Sequence, residues 1–475
     1  MAETINTRLL ILGGGPGGYV AAIRAGQLGI EHVLVEADRL GGTCLIRGCI
    51  PSKALIHVAS KFEGMVEAAA HGSKGGGKDG ISLKAPPALD LAKTVAWKET
   101  VVDKLNGGVT ALLKRAKTRV VAGWGTFTDA KTCQVETKDG PVTIKAENVI
   151  LAAGSVATPL PHIPFGPSGG GDVISSTEAL SLEKLPKRLA VIGAGYIGLE
   201  LGSAFRKFGC EVTVVEAQDR ILPLYDEQLT KPVKAWLEKA GVTLHLSAKA
   251  TGWAKGQLTV EQAGGETLKI PADKLLVTVG RRPNTQGWGL EEMGVDMAGP
   301  FVKVDERMRT SMSGVYAIGD LVGEPMLEHK AAAQAHVAVE VIAGQNRRFD
   351  PAAIAAVCFT EPEIVSAGLL PKEAEAAGHD PVSAVFPFQA NGRALSMEGG
   401  DTGGFVRVVA RKSDHRVVGL QAVGAHVSEL SGEFAMSIEM GARLEDLGGT
   451  IHVHPTLSEA VHEAALRALG HAVHI

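Results

Sequence analysis

The feature that most constrains this chain is a nucleotide-binding signature that occurs twice at fixed spacing. The apolar run Arg8-Leu9-Leu10-Ile11-Leu12 reads as a short strand and leads straight into Gly13-Gly14-Gly15-Pro16-Gly17-Gly18. A helix is expected from Tyr19 to Leu28, stopped at Gly29, and a second strand follows at His32-Val33-Leu34-Val35 and ends in Glu36. Shifting the chain by 180 positions puts Gly13, Gly15, Gly18, Gly29 and Glu36 on Gly193, Gly195, Gly198, Gly209 and Glu216 without a gap, with Arg188-Leu189-Ala190-Val191-Ile192 as the matching strand. A flexible glycine loop would explain G-x-G-x-x-G alone. It does not explain the glycines with their strand, helix, second strand and acid.

Each part of the unit has a physical task. The glycines let the backbone approach a pyrophosphate, the helix N-terminus stabilises its charge, and the acid accepts hydrogen bonds from a ribose. Two such units imply an α/β fold with two Rossmann-like dinucleotide-binding domains, and two nucleotides close enough for one to pass electrons to the other. A carboxylate at Glu216 favours a ribose 2′-hydroxyl and repels a 2′-phosphate, so NAD is expected over NADP, a preference that nearby Arg220 moderates.

Between the two units, Cys44 and Cys49 lie in Gly41-Gly42-Thr43-Cys44-Leu45-Ile46-Arg47-Gly48-Cys49-Ile50-Pro51-Ser52-Lys53. C-x4-C is wider than the spacing of a zinc knuckle or a thioredoxin-type motif, yet one strained loop can bring both sulfurs together, and we read the pair as an active disulfide. Proline is favoured at a first helical position, so Pro51 is expected to open a helix with Cys49 just outside its N-terminus. The helix dipole and the Lys53 ammonium would then favour the Cys49 thiolate. Without the flanking nucleotide motifs, two buried and unreactive cysteines would be the simpler reading.

At 475 residues the chain is expected to hold three or four domains. A net charge of -4, with 21% charged residues and no basic run, implies neither nucleic acid nor an anionic membrane as partner. No apolar run approaches the roughly 18 residues of a membrane span. Residues 1 to 8 are polar and a strand starts at once, which argues against a signal or transit peptide and for a reducing cytoplasm. Five cysteines are no disulfide framework, and Cys133, Cys210 and Cys358 are expected in the core.

Residues 53 to 118 suggest two helical passes broken by a mobile surface loop from Gly72 to Gly80. The second, Ala88 to Lys117, has apolar residues at Leu91, Val95, Val101, Val102, Leu105, Val109, Leu112 and Leu113. Short antiparallel strands are expected at Val120 to Phe127, Gln134 to Thr137 and Val142 to Ile144, followed by a separate buried strand from Glu147 that ends in small residues by Gly154 and Ser155. Beyond Phe349 the pattern changes to strands (Phe405 to Val409, Arg416 to Leu420) among helices such as Val427 to Glu439, an α+β interface domain. Glu200 lies one helical turn past the second phosphate loop, where nucleotide binding needs no acid. Taken alone it would be an exposed helix charge, and His454 alone an ordinary surface histidine.

These motifs, together with Gly280-Arg281-Arg282-Pro283-Asn284, Gly314-Val315-Tyr316-Ala317-Ile318-Gly319-Asp320 and His454-Pro455-Thr456-Leu457-Ser458-Glu459, resemble the flavin-dependent pyridine nucleotide-disulfide oxidoreductases, most closely those that oxidise dihydrolipoamide. The resemblance spans nearly the whole chain. It implies FAD on the first fold and NAD on the second, with Asp320 on the flavin's ribityl chain and Lys53 paired with Glu200 beside its ring. The cofactor-binding set that goes with it also takes in Gly42, Thr43, Gly154 and Gly280. Cys44 would exchange with substrate and Cys49 would face the flavin as a charge-transfer thiolate. His454, oriented by Glu459, would act as general base on the disulfide of the other subunit, so a homodimer is implied.

The organisation that follows is an FAD-binding domain at 1–155, an NAD-binding domain at 156–278, a central segment returning to the first domain at 279–348, and a dimerisation domain at 349–475. The implied partner is the lipoyl domain of a dihydrolipoamide acyltransferase or of a glycine-cleavage lipoyl protein. No metal site is expected, because His452, His462, His471 and His474 lack ligand spacing with the cysteines. The alternative is another disulfide or metal reductase of the same family working in the opposite direction with NADPH. Glu216 argues against it, as does a C-terminus, His474-Ile475, without a cysteine pair. Three features depart from the family pattern: Ile46-Arg47 between the cysteines, Ala152 where threonine is usual, and the extended loop around Gly75. Arg47 is expected to stabilise the thiolate form and make the disulfide easier to reduce.

Overall fold

The computed structural model describes residues 3–72, 80–167 and 171–475. Of the loop expected from Gly72 to Gly80, residues 73–79 lie outside the described residues.

The first unit contains β1 (Glu3–Leu12), α1 (Pro16–Gln27), β2 (His32–Glu36), α2 (Gly42–Arg47), α3 (Cys49–Gly72), α4 (Leu91–Arg115), β3 (Arg119–Ala122), β4 (Trp124–Phe127), β5 (Thr132–Thr137) and β6 (Gly140–Leu151). Its sheet runs β3-β2-β1-β6-β5-β4, and a later strand also joins β6. Three expectations change here. The first strand begins at Glu3, not Arg8, because its polar opening alternates buried and exposed residues (Ile5 and Thr7 in, Thr4 and Asn6 out) while it pairs with β6 from Glu3↔Val142 onward. Val142–Ile144 and the strand after Glu147 are one continuous strand, antiparallel to β5 and parallel to β1. The run from Val120 to Phe127 divides at Gly123 into β3, parallel to β2, and β4, antiparallel to β5.

In α4 the buried stripe is Leu91, Val95, Val102, Val109 and Leu113, at helical spacing, and the Asp90 side chain caps it through the Lys93 N–H at 3.1 Å. Leu105 and Leu112 face solvent. The expected packing face is therefore narrower than its apolar count.

The second unit holds β7 (Ser155–Ala157), β8 (Val173–Ile174), α5 (Ser176–Ala179), β9 (Arg188–Ile192), α6 (Tyr196–Lys207), β10 (Glu211–Val215), α7 (Glu227–Lys239), β11 (Thr243–His245), β12 (Ala248–Ala254), β13 (Gln257–Gln262), β14 (Thr267–Pro271), β15 (Lys274–Val277) and β16 (Arg281–Pro283). A parallel sheet β11-β10-β9-β15-β8 carries the antiparallel flap β12-β13-β14. The strands β7 and β16 pair antiparallel as a ribbon at the points where the chain leaves the first sheet and comes back. A hairpin β17 (Met297–Ala298) and β18 (Phe301–Val302) then precedes β19 (Val315–Ala317), which lies parallel to β6, and α8 (Glu328–Ile342), which packs on α1. This return places Asp320 over the first nucleotide fold.

The remaining chain forms β20 (Ala356–Cys358), β21 (Glu363–Gly368), α9 (Pro371–Ala376), β22 (Pro381–Pro387), α10 (Gly392–Ser396), β23 (Phe405–Arg411), β24 (Val417–Gly424), α11 (Ser431–Glu439), α12 (Leu444–Gly449) and α13 (Glu459–Ala468). The helix expected from Val427 splits into a 3-10 turn at Val427–Leu430 followed by α11. The antiparallel sheet β20-β21-β24-β23-β22 buries Val406, Val408, Leu420 and Ala422 against Phe434, Val461 and Ala464 of the helices. Met436 and Met440, in and just after α11, and Ile451 and Val453, between α12 and α13, are exposed. Among the described residues, no helix is long and apolar enough to cross a membrane.

Candidate active site: a disulfide between two nucleotide clefts

The repeat read from the sequence persists at the level of single hydrogen bonds. Gly13 N–H donates to the Val35 carbonyl at 2.9 Å, and Gly193 N–H to the Val215 carbonyl at 2.9 Å. The Glu36 carboxylate accepts from Gly14 N–H at 2.6 Å and Asp38 N–H at 2.8 Å, while Glu216 accepts from Ala194 N–H at 2.6 Å and Gln218 N–H at 2.8 Å. The glycines are required for distinct reasons. Gly13 and Gly193 have φ of 101° and 99°, where a side chain is strained. A Cβ on Gly18 or Gly198 would run into the carbonyl oxygen of Gly13 or Gly193. At Gly15 and Gly195 a Cβ would instead project into open space, 3.8 Å from Gly42 Cα in the first case and with nothing within 4 Å in the second. That open space in front of a helix N-terminus is where a pyrophosphate fits.

Repeat geometry also identifies a residue that motif reading missed. Ala152 N–H bonds the Leu12 carbonyl at 2.8 Å and Thr278 N–H bonds the Ile192 carbonyl at 2.8 Å, so the two residues are counterparts. The Thr278 hydroxyl adds bonds to the Ile192 and Gly193 carbonyls at 3.0 and 3.2 Å. Ala152 makes no such bond for want of a hydroxyl. Comparing the two halves beyond their glycines would have revealed the pair.

Cys44 and Cys49 are joined as a disulfide, with Cα atoms 4.7 Å apart. The expected strained loop is instead the short helix α2, which ends at Gly48. The next helix starts at Cys49, not Pro51, and Ser52 N–H already bonds the Gly48 carbonyl at 3.0 Å. Pro51 sits inside the first turn, where its missing N–H has no carbonyl to satisfy. The Cys49 sulfur thus belongs to the helix N-terminus itself, one turn from Lys53. Lys53 Nζ bonds the Glu200 carboxylate at 2.8 Å, and the second oxygen of Glu200 accepts from Phe359 N–H at 2.9 Å. Glu200 is therefore a buried, fully paired carboxylate and not an exposed helix charge.

Two cavities meet at this place. The first, about 390 Å³, is lined by Gly13, Gly15, Glu36, Gly42, Thr43, Cys44, Cys49, Lys53, Gly154, Glu200 and Asp320, all expected site residues. The second, about 880 Å³, is lined by Gly193, Gly195, Glu216 and Gly280. Tyr196, Ile197, Arg281 and Met326 line both and form the wall between them. Burial, followed by the nearby Glu200 charge, pushes the Tyr196 hydroxyl up to about 12, so it stays a neutral donor in this wall. Asp320 accepts from the Ser155 hydroxyl at 2.5 Å, and Arg281 donates to Ser155 Oγ and O at 2.8 and 2.6 Å. Asp320 is thereby fixed from the β7–β16 ribbon.

His454 and Glu459 line neither cavity. His454 is exposed, and its Nδ1 pairs with Glu459 Oε1 at 2.9 Å, while the other carboxylate oxygen accepts from Thr456 N–H at 2.8 Å. Burial alone would raise the Glu459 carboxyl, but the Thr456 and His454 interactions outweigh it and hold the group below the usual carboxylate range. With Nδ1 so engaged, Nε2 is the ring nitrogen left for another partner, on a side chain that is 79% exposed. His452 is held by Glu433 at 3.0 Å and His474 by Glu463 at 2.6 Å. Among the described residues, no group of three or more His, Cys, Asp and Glu is arranged to hold a metal ion.

A parallel-sheet nucleotide fold used twice, with a disulfide at the floor of one cleft and a wall shared with the other, defines a two-nucleotide dithiol–disulfide oxidoreductase. Family models agree in register: residues 7–335 match pyridine nucleotide-disulphide oxidoreductase and residues 354–465 match the dimerisation domain of that family. The chain belongs to the pyridine nucleotide-disulphide oxidoreductases. It is 57% identical to a dihydrolipoyl dehydrogenase of Pseudomonas aeruginosa, over 100% of both chains, and 44% identical to one of Geobacillus stearothermophilus, over 99% of this chain and 98% of the relative. Among solved structures, LpdA of Mycobacterium tuberculosis superposes with a TM-score of 0.86 at 28% identity, covering 97% of this chain and 99% of the other. The flavoprotein disulfide reductase RclA of Escherichia coli shares the fold, with a TM-score of 0.84 at 24% identity. The family's cofactors are FAD and NAD(H), its dimerisation domain makes a homodimer, and the open cradles before Gly15 and Gly195 fit both dinucleotides.

Proposed function

We propose that this chain oxidises the dihydrolipoamide carried by a lipoyl domain, of a dihydrolipoamide acyltransferase or a glycine-cleavage lipoyl protein, and reduces NAD+ to NADH. The observation that carries the reading is the position of the Cys44–Cys49 disulfide, in the lining of the first cleft and one helical turn from the Lys53–Glu200 pair. Bound FAD supplies two-electron transfer between the dithiol and NAD+.

The chain's own groups do the rest. His454 of one subunit removes a proton from a substrate thiol, and Glu459 holds the imidazole by Nδ1 so that Nε2 takes that proton. The resulting thiolate attacks Cys44, forming a mixed disulfide and releasing Cys49 as a thiolate. The second substrate thiol then displaces Cys44, leaving lipoamide oxidised and the cysteine pair reduced by two electrons. The α3 N-terminus and the Lys53 ammonium stabilise the Cys49 thiolate. Gly13, Gly15, Gly18, Gly42, Thr43, Gly154 and Asp320 hold the flavin, with Glu36 on its adenosine ribose. Gly193, Gly195, Gly198, Gly280 and Glu216 hold NAD, the last on the adenosine ribose.

The same reading divides the chain at 1–155, 156–278, 279–348 and 349–475, in keeping with the three largest sheets and the return of β19, and it assigns the enzyme to a reducing cytoplasm. The exposed Met436 and Met440 of the α11 segment, with Ile451 and Val453 just ahead of His454 in the chain, suit the homodimer contact that the shared active site needs. The test is steady-state turnover. NADH formation from dihydrolipoamide, with little from NADP, supports the reading; turnover of glutathione disulfide or mercuric ion in its place refutes it.

A further inference from the structure

We infer that Arg47 and Trp124 are two further flavin-binding residues, closing over the AMP half of the dinucleotide in the first cleft. Arg47 stands on the same face of α2 as Thr43 and Cys44, and all three line the cavity. Its guanidinium pairs with Asp38, whose own N–H is held by the Glu36 carboxylate at 2.8 Å; burial holds the Glu36 carboxyl above its ordinary range, and the Arg47 charge is among the groups that partly offset this. The side chain is therefore directed along the cleft to the adenosine end. This assigns it a task other than the thiolate stabilisation expected from its place between the cysteines.

An anionic diphosphate entering this cleft meets the carboxylates of Glu36, Asp38 and Glu328 and needs a cation there. Four cationic residues line the cavity, and three are committed elsewhere. Lys53 is bound to Glu200, Arg281 to Ser155, and Arg39 at 2.6 Å to Asp103, which lies outside the cleft. Arg47 is paired within the cleft lining to Asp38, and where the carboxylate of the Lys53–Glu200 pair is only 5% exposed, the Arg47–Asp38 pair is partly exposed on both sides. Such a pair contributes little by itself, so sharing or exchanging the carboxylate for a phosphate costs little, while a guanidinium–phosphate contact is charge-assisted and can be bidentate.

Trp124 comes to the same end by another route. The preceding residue, Gly123, donates its N–H to the Glu36 carbonyl at 2.9 Å, which sets Trp124 beside the ribose-binding acid. Its indole N–H bonds the Gly287 carbonyl at 3.0 Å, so the ring is anchored by one edge, yet the residue is 48% exposed in a cleft lining. A large aromatic ring fixed at its edge and open on its face is a stacking platform for a purine.

This inference rests on the first cleft taking the flavin, and flavin fragments separate the two claims. Apoprotein would be titrated with FAD and with FMN, which lacks the AMP half, following tryptophan and flavin fluorescence. Arg47→Val and Trp124→Ala should each weaken FAD binding by about tenfold or more while FMN binding stays within about twofold. Arg47→Lys and Trp124→Phe should recover part of the loss, which a misfolded variant would not show. FAD binding that is unchanged in both variants, or FAD and FMN affinities that fall in parallel, overturns the inference. Unaltered apoprotein that takes up no FAD at all would instead overturn the assignment of the cleft.

Discussion

Lys53 and Glu200 lie 147 residues apart in the chain and 2.8 Å apart in space, joining the helix of the reactive disulfide to the helix of the second nucleotide loop. The Phe359 N–H fixes the other oxygen of Glu200, and the Lys53 ammonium also sits 4.4 Å above the Phe359 ring. Three parts of the chain therefore meet on one carboxylate.

Removing the ammonium leaves Glu200, whose side chain is only 5% exposed, as an uncompensated buried charge. Lys53→Met should destabilise the protein by about 3 kcal/mol, the low end for a broken buried pair because Lys53 keeps some contact with water. Urea denaturation of the holoprotein measures this. A loss no larger than that of an exposed pair would show that water has access to Glu200.

The sequence carried the nucleotide units because their glycines answer local demands, a positive φ or a close backbone approach, that act within a few residues. Glu200 was legible as unusual but not as buried, since its two partners come from α3 and from the segment after β20. The polar opening of β1 hid a strand whose alternation makes sense only beside β6. The disulfide helix was read two residues late because Pro51 looked like a first helical residue, while Gly48 is the true break. Ser155 gave no local signal of its own, and Arg281 stood out only as one member of a motif; both matter because the ribbon they belong to brings Ser155 to Asp320 and Arg281 to Ser155.

His454 depends on Glu459 for orientation, and that dependence has a measurable signature. Replacing His454 by glutamine should slow dihydrolipoamide oxidation by about 100-fold or more, as loss of a general base does, and leave NADH oxidation by an artificial acceptor nearly unchanged. Equal losses in both assays would count against the base assignment. The Glu459 carboxyl titrates below its ordinary value of 4.5, so its bonds to Thr456 and His454 are intact above that pH and are lost as the pH falls through the lowered value. Carbon NMR of the labelled side chain should find the midpoint below 4.5 in the folded protein. In His454→Gln the midpoint should move up.

Under the proposed function Glu216 sets the nucleotide preference through charge, because a carboxylate at the end of β10 accepts from a ribose 2′-hydroxyl and repels a 2′-phosphate. Glu216→Gln keeps an oxygen for the Ala194 N–H, 2.6 Å away, while removing the repulsion. The ratio of kcat/KM for NADP to that for NAD should rise by about tenfold or more, since like charges brought together cost several kcal/mol. If the ratio does not move, the discrimination lies in another part of the second cleft.

The remaining thiols separate the redox pair from the rest of the cysteines. Cys133, Cys210 and Cys358 are all buried, and burial pushes Cys133 and Cys210 up to about 12 and Cys358 higher still. At pH 8 a thiol with so high a value is ionised in roughly one molecule in ten thousand, and the thiolate is the form that alkylates. Native oxidised protein should therefore take up no iodoacetamide, and protein reduced with dihydrolipoamide should be labelled at Cys44 and Cys49 alone, as peptide mapping would show. The same shifts give the alkaline limit its sign. The unfolded chain releases these thiol protons near the ordinary value of 9.0 and the folded chain holds them, so stability falls as the pH rises above 9. Cys133→Ala should flatten the fall in Tm between about pH 9 and 11, and labelling of Cys133 in the native state at pH 8 would show that its site opens to solvent.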